Sequence, residues 1–150
     1  MEVNTMYSLH YLLMKAHTML NKKILYNAAS ISLSPGQPKV LECLFLHGEN
    51  NQKAIAEHCE IEQATVGTIL LRMEQEGLIS RFNREGDRRS LYVKLTQKGM
   101  DAAIQMNTIF SSCEKEASKH MSQEEIDELK RLLTKFCQSI NDQKGCGSVD

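Results

Sequence analysis

The chain contains no run of about 18 apolar residues, the least that crosses a bilayer as a helix. Its most apolar early stretch, "YLLMKAHTMLNKKIL", is broken by Lys15, Lys22 and Lys23, which predicts a cytoplasmic protein without a membrane span. There is no glycine-rich phosphate loop, no nucleophile elbow and no His-Glu metal helix. Carboxylate pairs such as Glu124 and Glu125 are helical neighbours that face different directions. The chain is therefore not expected to be an enzyme. Its five cysteines, Cys43, Cys59, Cys113, Cys137 and Cys146, are odd in number and lack short paired spacing, which argues against a disulfide framework and a zinc site. His10, His17, His47, His58 and His120 are scattered without ligand-like spacing, so neither a metal nor a cofactor is expected. An excess of one charge is also missing. With 18 Lys and Arg against 19 Asp and Glu the net charge is -1, and any nucleic-acid surface must be a local patch.

What is present is helical periodicity over most of the 150 residues, enough chain for one compact domain or for intertwined protomers. Leu9, Leu13, Ala16, Leu20 and Ile24 share one face at steps of three and four, and this first helix should end near Ala29. "SLSPGQPKV" then resets the backbone through Pro35 and Pro38. A second helix follows with Val40, Leu41, Leu44 and Phe45 inward, stopped by "HGEN". Two short helical patterns come next, "NQKAIAEHC" and "EQATVGTILLRMEQEG", a spacing that suggests a helix-turn-helix. Ala54, Ile55 and Cys59 pack inward in the first; Val66, Ile69, Leu70 and Met73 form the stripe of the second. Gly77 sits where a left-handed cap belongs.

The outward face of the second short helix carries Gln63, Ala64, Thr65, Gly67, Thr68 and Arg72. These are small or hydrogen-bonding residues of the kind that approach base edges and phosphates, although an ordinary solvated face has the same composition. After Gly77 the period becomes two: "LISRF", a charged loop, then "SLYVKL" with Leu91, Val93 and Leu95 alternating inward. Two strands around "NREGDRR" make a hairpin with Gly86 at its turn. From Arg84 to Gly99 there are five cations and two carboxylates in sixteen residues. Cations on a hairpin beside a recognition helix suit a narrow, negative minor groove, and Asp87 stands close enough to Arg89 to hold its guanidinium.

The order helix-turn-helix, "EGLISR", "DRRSLYVKLTQKG" resembles the MarR family of winged-helix transcriptional regulators, whose Asp-x-Arg wing and Leu-Thr-x-x-Gly junction are matched by Asp87, Arg89, Leu95, Thr96 and Gly99. The resemblance implies a mainly α fold with a small β-hairpin wing (α+β). It implies Arg89 in the minor groove steadied by Asp87, and Gln63, Thr65 and Thr68 facing the major groove. Arg81, Arg84 and Arg88 would meet phosphates or the groove edge. Gly67 and Thr68 depart from the family habit of larger or basic residues there. A mid-helix glycine costs about 1 kcal/mol against alanine, so Gly67 serves either close approach to DNA or nothing.

The C-terminal third adds a helix lined by Ala103, Met106, Phe110, Cys113 and Ala117, and another capped by Ser122 and Glu125. The stripe of the latter, Ile126, Leu129, Leu133, Phe136 and Ile140, has no partner inside a small winged-helix core. A homodimer reading a palindromic operator in double-stranded DNA follows, with residues 1–34 and 99–150 as dimerisation segments around a DNA-binding lobe at 35–98. The function expected is a repressor of nearby genes released by a small effector. The alternatives are a winged helix that binds an acidic protein, or a thiol-oxidation-responsive regulator. An organic ligand ranks before an oxidant and a metal as input, with Met14, His17, Cys43, His47 and Met106 as candidate pocket residues and His17 within possible reach of Glu42 or His47. Cys43, Cys59, Cys113 and Cys137 are expected in the core, and Cys146 in an exposed tail.

Overall fold

The computed structural model describes the backbone of residues 6–144 and the side chains of residues 6–142; Cys146 lies outside them. Its elements run α1 (Leu9–Ala29), α2 (Gln37–His47), β1 (Asn50–Asn51), α3 (Gln52–Cys59), α4 (Gln63–Gln75), β2 (Ile79–Arg84), β3 (Asp87–Leu95), α5 (Gln97–Ala117) and α6 (Gln123–Lys144). The mainly α composition with a hairpin wing is as the sequence predicts. The chain divides into two compact units, residues 1–113 and residues 114–150.

In the first unit the core is built where the helical stripes converge. Val40, Leu41, Cys43 and Leu44 of α2 join Ile55, Ala56 and Cys59 of α3 and Val66, Leu70 and Met73 of α4. Ile79 and Val93 cover them from the sheet, and Ala103 and Met106 from α5. Phe45 does not belong to this core; it is 38% exposed. Residues 40, 41, 43 and 44 already fill one arc of α2, and Phe45 falls about 100° past Leu44. Ala54 is only half-buried and Ala56 takes the inward place.

The sheet has three antiparallel strands in the order β1-β3-β2, one more than the hairpin expected. The extra strand pairs Asn50 with Val93 and Asn51 with Tyr92. Two residues carry no readable alternation, so the strand left no mark in the sequence. Asn51 then caps α3, its Oδ1 accepting from the Ala54 N–H at 2.8 Å. Along β3, Val93 is buried and Leu95 half-buried, whereas Leu91, nearer the hairpin tip, is exposed.

The junction from α4 through the sheet to α5 is fixed by the residues of the Leu-Thr-x-x-Gly motif. Gly77 has φ +76°, and the Leu78 N–H returns to the Met73 carbonyl at 2.9 Å, closing a left-handed helix end. The Thr96 hydroxyl donates to the Gly77 carbonyl at 2.6 Å and accepts from the Gly99 N–H at 3.1 Å, so one side chain caps α5 and ties it to the end of α4. A Cβ on Gly99 would collide with the Leu78 carbonyl. That close approach is why glycine stands there.

In the second unit Ser122 and Glu125 form the expected capping box, with bonds of 3.0 and 3.1 Å. The apolar stripe of α6 is open: Leu129, Leu133, Phe136 and Ile140 are exposed. Cys137, expected in the core, is exposed as well, because this helix supplies no core of its own. Ala117, at the end of α5, is likewise exposed. No helix among the described residues is long and apolar enough to cross a membrane.

Candidate nucleic-acid interface

Helix α4 presents Gln63, Ala64, Thr65, Thr68 and Arg72 to solvent. Gly67 lies on the same arc, between Gln63 and Ala64, but is partly covered. It is half-buried, and a Cβ there would lie 3.1 Å from the Gln52 side-chain nitrogen, which itself donates to the Gln63 carbonyl at 3.0 Å. The glycine makes room for the contact between α3 and α4. Arg72 is exposed but engaged: its Nε lies 2.8 Å from Glu76 Oε1. The other Glu76 oxygen accepts from Nε2 of Gln37 at 3.0 Å. Gln37 is fully buried, so the C-terminal end of α4 is tied through Glu76 to the first turn of α2.

The wing is organised by parity. Arg81 pairs with Val93 and points to the core side, so it is mostly buried, with Nε 3.7 Å from Glu74 Oε2. Where a phosphate was expected beside Arg81, the described residues place the Glu74 carboxylate. Phe82, Arg84, Tyr92 and Lys94 occupy the opposite side. There Arg84 lies over the Tyr92 ring at 4.1 Å and Lys94 over Phe82 at 5.2 Å. Arg84 also stands 3.8 Å from Glu49.

At the tip the register shifts: Asn83 pairs with Leu91, but Arg84 pairs with Asp87. Arg88, Arg89 and Ser90 therefore have no opposite residue on β2. Gly86, φ +86°, makes the turn. Asp87 Oδ1 accepts the Arg89 N–H at 3.1 Å and the Ser90 N–H at 3.2 Å. The carboxylate thus steadies the backbone of Arg89, where the sequence suggested a grip on its guanidinium. Arg88 and Arg89 are exposed, and neither carries an ion pair among the described residues.

The candidate pocket residues are not brought together. Cys43 and Met106 are fully buried in the core, Met14 is exposed on α1, and His47 stacks edge-on against His58 at 4.6 Å instead of meeting His17. His17 lines a cavity of about 430 Å³, which the other four candidates do not line. Leu20, Asn21, Ile24 and Leu25 of α1 form one wall and Thr65 and Ile69 of α4 the other, with Lys39 and Phe110 also lining it. Lys39, Ile69 and the α1 residues other than His17 were missed as cavity residues, since no sequence signal reports which helix faces meet. The Cys43 and Cys59 thiols are both free and buried. Burial pushes Cys59 up to about 12 and raises Cys43 as well, which keeps both in the unreactive thiol form at neutral pH.

A sequence model described as the MarR family matches residues 33–91. The chain is 30% identical over 105 residues, 70% of each protein, to the HTH-type transcriptional regulator MgrA of Staphylococcus aureus. In structure it is similar to S. aureus MepR in a DNA complex, at TM-score 0.79 and 24% identity over 89% of this chain and 98% of that one. It is also similar to a MarR mutant from E. coli complexed with operator DNA, at TM-score 0.78 and 19% identity over 89% and 96%. A third likeness is to Bordetella bronchiseptica BpsR, whose DNA binding is regulated by 6-hydroxynicotinic acid, at TM-score 0.78 and 22% identity over 86% and 98%. With a winged-helix lobe, an Asp-anchored wing and these relatives, the chain belongs to the MarR family of transcriptional regulators.

Proposed function

We propose that the protein is a homodimeric repressor that binds a palindromic operator in double-stranded DNA and is released by a small organic effector. The observation that carries the reading is the pair Arg88 and Arg89, held out from the wing by the Asp87-anchored bulge without carboxylate partners among the described residues. Arg89 enters the minor groove, Arg88 meets a phosphate or the groove edge, and Gln63, Ala64, Thr65 and Thr68 face the neighbouring major groove. DNA complexes of the similar MepR and MarR proteins support this placement.

Residues 35–98 form the DNA-binding lobe, and residues 1–34 and 99–150 the dimerisation segments. The exposed apolar side chains of α6, together with Leu9, Leu12 and Met19 on α1, support a second copy as their cover. A two-fold dimer reads half-sites spaced by about 10 base pairs or a multiple.

The effector occupies the cavity between α1 and α4. Its walls are mostly aliphatic, while His17 and Lys39 supply cationic or hydrogen-bonding heads, a combination suited to an amphipathic organic acid. Because α4 is itself a wall, an occupant that fits one setting of α4 better than another changes operator affinity. Selection of binding sites from random duplex DNA, followed by titration of the selected duplex against scrambled DNA, tests the DNA reading. Enrichment of an inverted repeat is expected, and absence of any enriched sequence contradicts it.

A further inference from the structure

Arg84 stands at the end of β2, where the register of the hairpin shifts. Its guanidinium carbon lies 4.1 Å from the centre of the Tyr92 ring, and its Nη2 lies 3.8 Å from Glu49 Oε2. Tyr92 is in the central strand, paired with Asn51 on one side and Phe82 on the other. Glu49 belongs to the link that leaves α2 and enters β1 and α3. One side chain thus spans from the wing to the segment that begins the helix-turn-helix. Arg88 and Arg89, four and five residues further on, have no such attachment among the described residues.

We propose that Arg84 is a positioning residue for DNA binding: it sets the stance of the wing against the helix-turn-helix through Tyr92 and Glu49, and it neutralises no phosphate. This rests on the DNA-binding reading. The two roles differ in the sign of one effect. If Arg84 left Glu49 to pair with a phosphate, Glu49 would be a competing anion, and Glu49→Gln would tighten binding. If Arg84 stays on Glu49 and Tyr92, Glu49→Gln loosens the wing and weakens binding even though a negative charge is removed.

Salt dependence separates the roles independently. Removing a cation that neutralises one phosphate lowers the slope of log affinity against log salt by about 0.9, whereas removing a strut lowers affinity at every salt concentration alike.

The experiment titrates wild type, Arg84→Ala, Glu49→Gln and Tyr92→Leu against a duplex selected by the wild-type protein, over a series of salt concentrations, with thermal unfolding of each variant as a check on folding. Arg84→Ala and Tyr92→Leu are expected to weaken binding by about three- to fivefold, Glu49→Gln by a smaller factor, and all with the wild-type slope. A slope reduced in Arg84→Ala, or binding unchanged or tighter in Glu49→Gln, overturns the proposal. Failure of the wild type to select any duplex overturns the DNA-binding reading itself, which is a different result.

Discussion

Asp87 holds Arg89 by the main chain: a single carboxylate oxygen receives the N–H groups of Arg89 and Ser90 at 3.1 and 3.2 Å. Both donors were released by the register shift that leaves residues 88–90 without partners on β2. The side chain replaces ladder bonds the bulge removes, and the Arg89 guanidinium is left for other work. An amide oxygen serves such donors as a carboxylate does. Asp87→Asn should therefore keep operator affinity within about twofold, while Asp87→Ala should lose about five- to tenfold, from hydrogen bonds worth roughly 0.5–1.5 kcal/mol each. Fluorescence-anisotropy titration decides it. If Asn is as poor as Ala, the carboxylate acts through its charge on the guanidinium.

The two glycines at close contacts should respond differently to alanine. At Gly99 the obstacle is the Leu78 backbone carbonyl, which cannot move without shifting the start of the sheet. Gly99→Ala should destabilise the protein by about 1–3 kcal/mol. At Gly67 the obstacle is the end of the Gln52 side chain. Its displacement costs a hydrogen bond but is offset by a helix-propensity gain of about 1 kcal/mol. Chemical denaturation should place Gly67→Ala within about 1 kcal/mol of wild type. Equal losses at the two sites would contradict the packing described.

Charge on the open stripe of α6 tests the dimer. Leu133 and Phe136 are exposed in the isolated chain at 38% and 39%, so Leu133→Glu should leave the winged-helix fold intact. It should shift sedimentation to the monomer mass and weaken operator binding by about a hundredfold or more, since one half-site alone remains. A Leu133→Glu protein that still sediments as a dimer would place the interface elsewhere.

Filling the cavity tests the effector site. Leu20→Trp adds bulk against α4 in a space of about 430 Å³. Benzoate, a small amphipathic acid of the class the lining fits, is expected to raise the melting temperature of wild type and weaken its operator binding, and to do neither in Leu20→Trp. An equal response in both proteins would exclude this cavity as its site.

The helices, the cap at Gly77 and the hairpin were legible because each follows from local pattern: a period of 3.6, a period of two, a glycine at a required positive φ. The inward turn of Arg81 was legible too, since it lies two residues from Ile79 on the same side of the strand, but its charge pointed toward phosphate. What could not be read depends on contacts between distant segments. The pairing of Asn50 and Asn51 with Tyr92 and Val93, the link from Gln37 to Glu76, and the meeting of α1 with α4 around His17 leave no periodic trace. Cys137 misled for a related reason. A helix with an apolar stripe need not have its cover within its own chain.

The central claim is that the Asp87-anchored bulge presents Arg89 to DNA. The most direct measurement is the affinity of wild type and Arg89→Ala for the selected operator and for scrambled duplex, across a salt series. The account predicts a preference for the operator that weakens with salt, and in Arg89→Ala a loss of about 1–3 kcal/mol concentrated on the operator. An Arg89→Ala protein that keeps wild-type affinity and preference would contradict it.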